Sequence, residues 1–386
     1  MSHFARRTGY EVRVVAPVPY FPPLKINRRW LYSQISATET IEGLEVHHPR
    51  YFMIPKVSMF LQGLLMFLNV LPHVRRVRKS FDFDLIDAHY VYPDGFAAVL
   101  IGLCLRKPVV VSARGTDINV YSEFRLIRRF LAFTLKKAHG VVAVSKALAK
   151  GIEQLGIPPA RVTVIPNGVD HKRFFPAPQA EARARLKLPP GRLILSVGHL
   201  IAGKGFDLLV RAFHSLIAQK DFGDIRLVIV GEGYFRSQLE SLIMTLKLEG
   251  KVVLIGDRPH DELPDWYNAS DVFCLVSARE GWPNVIVEAM GCGKPVVATP
   301  VGGIPEILCS KSLGILVEPD IDAIANALSV ALTAHWKTDQ ISNHSRLHDW
   351  ERATQSLQAL FWRVLKGRAS SKQIDPHSGA SNRQTA

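Results

Sequence analysis

The chain has 386 residues, 47% of them hydrophobic, and a formal net charge of +14. That length exceeds one small domain, and no apolar run is long enough to cross a bilayer, because the nearest, residues 57–71, is interrupted by Gln62 and Asn69. The charge is uneven: residues 1–165 hold 23 Lys and Arg against 11 Asp and Glu, and the remainder holds 25 against 23. The first half is therefore expected to seek an anionic partner, such as a membrane surface, a phosphorylated acceptor or nucleic acid, unless the charge serves solubility alone. Arg6 and Arg7 are followed by Thr, Gly, Tyr and Glu, which is not the pattern of a signal peptide. The four cysteines form no C-x-x-C pair, and three sit in or beside apolar runs. They read as reduced, buried thiols of a cytosolic protein.

Short apolar, β-branched runs alternate with helical patterns along the chain. The first series lies at 12–16, 84–89, 108–113, 140–145 and 162–167, and the second at 193–198, 226–231, 251–256, 272–277, 295–300 and 314–319. Continuous rather than alternating apolar strands predict parallel sheets covered on both faces. The expected architecture is α/β, two doubly wound domains facing across a cleft, with ligands at the carboxyl ends of the strands. Residues 57–71 run into the basic stretch 73–79, "HVRRVRK". Such a helix is either packed in the core or lies on an anionic membrane. Between the two series, residues 174–192 carry Pro176, Pro178, Pro189 and Pro190 and no strand pattern. This divides the chain into residues 1–170, residues 171–343, a final helix over 344–366 and a polar tail, 367–386, expected to be disordered. The final helix places Trp350, Leu357, Leu360, Phe361 and Val364 on one side.

Residues 280–295, "EGWPNVIVEAMGCGKP", carry the chemistry. The strand before them ends at Ser277, a loop holds Glu280, and Pro283 stands where a helix begins. Val285, Ile286, Ala289 and Met290 fall at helical spacing, and Gly291 and Gly293 stop the helix. Bare N–H groups at a helix start favour phosphate. Glu288, further along, can accept two hydrogen bonds from a ribose 2′,3′-diol. The competing reading is that Glu280 caps the helix and Glu288 is solvated. A second anion site is suggested by "VGHLIAGKGFDLLVRAF", 197–213, where His199 and Lys204 lie between a strand and a helix. The similar Gly-x-Gly at 231–233 reads as a tight turn, with Glu232 structural. Asp82 and Asp84 form an Asp-x-Asp pair that reads as a solvated cap, and no His/Cys cluster has metal-ligand spacing.

"REGWPNVIVEAMGCGKPVVATPVGGIPEI", 279–307, resembles the signature of retaining glycosyltransferases of family 4, which have the GT-B fold. "DLIDAHYVYPDGFAA", "VVVSARGTDI", "VIPNGVDHKRF", "VGHLIAGKGFDLL", "IVGEGYFRSQLE" and "LPDWYNASDVFCLVS" match that family in the same order, so the likeness covers residues 5–366. The resemblance implies transfer of a sugar from a nucleotide diphosphate-sugar to a glycan or lipid-linked acceptor, with retention of anomeric configuration. It implies that Glu288 holds the donor ribose, Glu280 the donor sugar, and the backbone at Gly281, Trp282, Pro283 and Asn284 the diphosphate. Lys204 would neutralise the leaving diphosphate. His199 stands where the family has Arg, so that part of the charge depends on pH. His89 would face the reacting centre, Arg114, Gly115, Thr116 and Asp117 would line the same cleft, and Asn167 and Gly168 would sit at the interdomain hinge. The resemblance implies no cofactor and no metal, and a cytoplasmic enzyme that can be peripheral on the inner face of the cell membrane; no nucleic-acid partner is expected, because the first half has no aromatic-plus-basic platform for a single strand.

Family members begin with a strand and a Gly-rich loop, and this chain begins at what resembles the end of the following helix. The first strand of the N-terminal domain, about twenty residues with its loop, is expected to be missing. Two other readings compete: a degenerate, non-catalytic binding or scaffold protein, and a dinucleotide-dependent oxidoreductase, which would need a G-x-G-x-x-G after a first strand.

Overall fold

The computed structural model describes residues 2–5, 10–21, 31–53, 59–219 and 222–372. They form two compact units: one of Met1–Ala143, Ala149–Ile165 and the chain from Thr354 onward, and one of Val144–Leu148 and Pro166–Ala353. The second unit thus starts at Pro166, and it takes in the segment 144–148.

The first unit opens with short strands β1 (Val14–Val15), β2 (Val18–Pro19), β3 (Thr38–Ile41), β4 (Leu44–His47) and β5 (Arg50–Tyr51). β4 pairs with β1 in parallel and with β3 antiparallel, and β2 pairs with β5. Four parallel strands follow: β6 (Ile86–His89), β7 (Val109–Ala113), β8 (Gly140–Ala143) and β9 (Val162–Val164), in that spatial order. Every residue of β7 and β8 is buried, as continuous apolar runs require when both faces are covered. Among the described residues no ladder links β1 to β6.

Helices α1 (Gln62–Ser80), α2 (Phe96–Leu105) and α3 (Arg125–Lys137) belong to this unit. α1 has two apolar sides. Met66, Val70 and Val74 pack with Tyr51, Ala97, Ile101 and Leu105, whereas Leu61, Leu64 and Leu68 remain 54%, 44% and 55% exposed. Over residues 64–71 its sequence is apolar apart from Asn69, so periodicity alone does not choose the buried side there. Val57 and Ser58, part of the apolar segment read above, lie outside the described residues.

The second unit is one parallel sheet of β10 (Arg192–Val197), β11 (Ile225–Val230), β12 (Val252–Gly256), β13 (Val272–Leu275), β14 (Val296–Ala298) and β15 (Gly314–Leu316). Its spatial order is β12-β11-β10-β13-β14-β15. Helices α4 (Phe206–Gln219), α5 (Arg236–Thr245), α6 (Leu263–Ala269), α7 (Asn284–Gly291) and α8 (Ile321–Thr333) cover it. Leu209, Phe213, Ile324 and Leu328 of α4 and α8 are buried in one cluster with Leu227 and Cys274 of the sheet. Each such side chain contributes about 1.5–3 kcal/mol on burial. Asp320 accepts from the N–H groups of Asp322 and Ala323 at 3.1 and 2.9 Å and so caps α8. Strand order reverses between β10 and β13, the place where open parallel sheets leave a crevice at their carboxyl ends.

The last helix, α9 (Trp350–Lys372), begins in the second unit and belongs to the first from Thr354 onward. There Leu360 and Phe361 are buried. α9 extends past residue 367, where the tail was expected to lose order, and residues 373–386 lie outside the described residues. The cysteines depart from expectation. Cys274 and Cys292 are buried, but Cys104 is exposed along with Cys309. α2 is apolar throughout and buries Ala97, Ile101 and Leu105, which leaves Leu103 and Cys104 on the outer side.

Candidate functional site

Two loops meet at the strand-order reversal of the second unit. One follows β10 and carries His199 and Lys204, and the other follows β13 and carries Glu280. The Ala278 N–H donates to the Gly203 carbonyl at 2.8 Å. Gly205 has φ +74°, and a Cβ there would stand 2.0 Å from the Val276 carbonyl oxygen, so only glycine lets the loops approach this closely. Gly302 closes the other side: it has φ +55°, and its Cβ would stand 2.0 Å from the Glu280 carbonyl oxygen.

These contacts put Lys204 and Glu280 together. Lys204 Nζ lies 2.6 Å from Glu280 Oε1, with side-chain exposures of 26% and 9%. A partly desolvated pair of this kind is stronger than a surface ion pair. His199 is exposed in the same loop.

Glu288 sits one turn inside α7 and is 8% exposed. A buried carboxylate needs partners, and it has them. The Tyr267 hydroxyl of α6 donates to Oε2 at 2.8 Å. His260, in the loop after β12, lies with Nε2 3.3 Å from Oε1. Burial, and then the adjacent Glu288 charge, pushes the Tyr267 phenol well above its ordinary value, so the hydroxyl stays a neutral donor. The Glu288 hydrogen bond raises His260, against opposing burial. Neither His260 nor Tyr267 stood out as a functional residue in the sequence. Tyr267 falls within "LPDWYNAS", but nothing there predicts that its hydroxyl faces another helix.

At the start of α7, Gly281, Trp282 and Pro283 are buried and Asn284 is half-buried. The Gly281 carbonyl accepts from the Gly303 N–H at 3.1 Å. The Trp282 ring packs 5.0 Å from the His348 ring, so this side chain is part of the support of the turn. Asn284 Oδ1 accepts from Asn167 Nδ2 at 3.2 Å. Gly168 is packed so tightly that a Cβ would stand 2.2 Å from the Trp350 nitrogen. Glu232 is held by Arg236 at 2.5 Å, consistent with a structural turn. Asp82 is paired with Lys107 at 2.9 Å and is largely exposed. Among the described residues no group of three or more His, Cys, Asp or Glu side chains is placed to hold a metal ion.

In the first unit the candidates cluster at the carboxyl ends of β6 and β7. His89 Nε2–H donates to Asp87 Oδ2 at 3.1 Å, and Arg114 Nη2 donates to His89 Nδ1. Both ring nitrogens are thus engaged, and the ring is held in one tautomer. Asp117 is fully buried. It accepts from the N–H groups of Val91 at 2.8 Å, Gly115 at 2.8 Å and Arg114 at 3.1 Å. Its carboxylate therefore anchors two loops. Asp94, unmarked in the sequence, lies nearby, and burial, with Asp117 adding repulsion, lifts its carboxyl to about 6.

Comparison with known proteins follows this geometry. Residues 178–348 match the family model described as glycosyl transferases group 1, and residues 1–173 match that described as glycosyltransferase family 4. The chain is 29% identical to TuaC of Bacillus subtilis, a glycosyltransferase named for teichuronic acid biosynthesis, over 86% of this chain and 84% of that one. It is 27% identical to a GDP-mannose-dependent phosphatidylinositol monomannoside mannosyltransferase of Mycolicibacterium smegmatis, over 85% of each. Among solved structures, sucrose-phosphate synthase of Thermosynechococcus elongatus aligns with a TM-score of 0.66 at 22% identity, covering 88% of this chain and 85% of that one. Anabaena HepE in complex with UDP-glucose aligns with a TM-score of 0.65 at 23% identity, covering 85% and 87%. The fold they share with this chain is GT-B, built from two Rossmann-like α/β units.

Proposed function

We propose that this chain, which belongs to glycosyltransferase family 4, moves a sugar from a nucleotide diphosphate-sugar to a glycan or lipid-linked acceptor with retention of anomeric configuration. The observation that carries the reading is the pairing of Lys204 with Glu280, beside the start of α7, at the strand-order reversal of the second unit.

On this reading the donor separates the pair. The diphosphate takes Lys204 and the amides of α7 that precede Ile286, whose own N–H donates to the Pro283 carbonyl at 3.1 Å. Glu280 turns to the sugar hydroxyls, and Glu288 accepts from the ribose diol. Breaking the glycosidic bond builds negative charge on the diphosphate and positive charge on the sugar ring. A fixed lysine and helix dipole favour the first, and a carboxylate favours the second, in a partly desolvated site. His199 adds charge to the leaving group only when protonated. In the first unit, His89 and Arg114 are the polar groups offered to the acceptor side, and Asp117 holds their loops.

Relatives named for GDP-mannose and for phosphatidylinositol acceptors support a sugar nucleotide and a lipid-linked acceptor, and a neighbour bound to UDP-glucose supports UDP as an alternative nucleotide. A membrane-peripheral enzyme is supported by the exposed Leu61 just before α1, by Leu64 and Leu68 of α1 and by Phe124 and Leu126 at the start of α3. Phe60 and Phe124 meet with ring centroids 6.5 Å apart, and the exposed Arg125, Arg128 and Arg129 flank them. An apolar patch rimmed by cations suits an anionic lipid surface.

The test is a panel of UDP- and GDP-sugars, first by thermal shift and then by transfer or donor hydrolysis, with Lys204→Ala and Glu280→Gln beside the parent. The reading predicts that one donor raises the Tm and is turned over, and that both variants lose turnover. Variants that match the parent would refute the site, and binding without turnover would favour a scaffold.

A further inference from the structure

We propose that His260 is the positioning residue of the Glu288 carboxylate, and that it yields Oε1 to the ribose diol when the nucleotide binds. The proposal rests on the reading that Glu288 accepts from the ribose.

The two oxygens of Glu288 are not equivalent. Oε2 faces Tyr267, which is completely buried, so nothing from solvent reaches that side. Oε1 faces His260, whose side chain is 55% exposed against 10% for Glu288. A hydroxyl arriving from solvent therefore meets Oε1, and His260 already occupies it.

The His260 ring is itself held in place. Arg173 Nη1 donates to Nδ1 at 2.7 Å, which leaves the proton on Nε2, aimed at Glu288. The Phe174 ring closes the side with a centroid distance of 5.2 Å. Charged groups face it from two directions: Glu288 on α7, and Asp170 and Arg173 in the segment entering the unit. Arg258 and Asp261 flank it in its own loop. Glu288 is the strongest influence and raises the His260 pKa, while Arg173 opposes it.

Protonation makes the imidazole a cationic partner for Glu288 and forces Arg173 off Nδ1, because that nitrogen then carries a hydrogen. The charge-assisted bond to Oε1 is stronger than the neutral one, so the ribose must displace a tighter occupant. A nucleotide that takes Oε1 releases the proton from His260. Affinity therefore falls as pH drops through the His260 pKa of the free protein, and the pKa of His260 falls when nucleotide binds. The same carboxylate is thus held in one rotamer while empty, and the neutral ring yields Oε1 more readily than the charged one.

The experiment measures Kd of UDP and of GDP by calorimetry from pH 5.5 to 8.5 for the full chain, His260→Gln and Glu288→Gln. The secondary phosphate of the nucleotide titrates in this range in every variant, so the readout is the difference between profiles. The parent should lose about three- to tenfold more affinity than His260→Gln between pH 8 and pH 5.5, because the ribose must displace a charge-assisted bond in the parent alone. Superimposable profiles overturn the proposal. NMR titration of His260 with and without UDP checks it without a mutation: a pKa lowered by nucleotide supports it, and one unchanged or raised overturns it. Glu288→Gln separates the two readings. Weaker binding in Glu288→Gln with parallel parent and His260→Gln profiles removes only the role of His260. Unchanged binding in Glu288→Gln removes the ribose assignment and this proposal with it.

Discussion

Replacing Tyr267 with Phe removes one oxygen and little else. The ring keeps its neighbours, Phe174 at 5.9 Å and Phe273 at 5.6 Å between centroids, so the packing term is near zero. What disappears is the O–H donor 2.8 Å from Glu288 Oε2, inside a fully buried surround. A hydrogen bond to a charged acceptor contributes about 1.5–3 kcal/mol, and the oxygen left behind pays a desolvation cost of its own. Tyr267→Phe should therefore destabilise the chain by about 2 kcal/mol, seen as a lower midpoint in urea with an unchanged slope. Glu288→Gln also breaks this bond, so the two changes are not independent. A double-mutant cycle should return a coupling of at least about 1 kcal/mol. Nucleotide affinity should weaken in Tyr267→Phe as well, since the carboxylate loses one of the two groups that fix its direction. Stability losses that add to within about 0.3 kcal/mol would show that the hydroxyl and the carboxylate do not act as a unit, and the account of Glu288 as an oriented ligand would fail.

Other outcomes follow from the same geometry. Lys204→Ala should lower kcat by about 100-fold with a smaller change in KM, because the charge is used as the diphosphate departs; steady-state kinetics with the donor found by thermal shift decide it. Burial pushes His348 down to about 4 from 6.5, so the unfolded chain binds a proton that the folded chain refuses. The stability this group contributes is complete above pH 6.5 and is lost as pH falls toward 4. His348→Phe, measured by Tm at pH 7.5 and pH 5, should show a smaller drop than the parent. Leu61→Glu, Leu64→Glu and Leu68→Glu together should reduce flotation with anionic vesicles by about tenfold or more while leaving the Tm within about 2 °C, because these side chains are exposed; undiminished flotation would exclude this helix as the contact.

Much of the second unit was legible in the sequence because its signals are local. Continuous apolar runs specify buried parallel strands, and Pro283, Gly291 and Gly293 bracket α7 within a residue of its observed ends. The helix start, the loop positions of Glu280 and Lys204, and the second-unit family likeness were read from spacing and motif. The pairing of Lys204 with Glu280 was not, since it spans 76 residues of chain and depends on β10 and β13 lying side by side. His260 and Tyr267 were missed for the same reason: each meets Glu288 only after separate loops and helices have packed. Cys104 and the first turns of α1 were ambiguous because a stretch apolar on nearly every side carries no periodic sign of which side is covered.

The sequence by itself determined the long parallel strands, the fold class and the family, though not the short strands β2 to β5, since hydrophobic period, turn residues and motif order are properties of neighbouring positions. Only the tertiary structure decided which polar groups face each other. It spent both nitrogens of His89 and the carboxylate of Asp117 on neighbouring groups, and it gave Glu288 one buried and one approachable oxygen. Burial and hydrogen-bond geometry are set by contacts distant in the chain, and a carboxylate's chemistry depends on those contacts as much as on its identity.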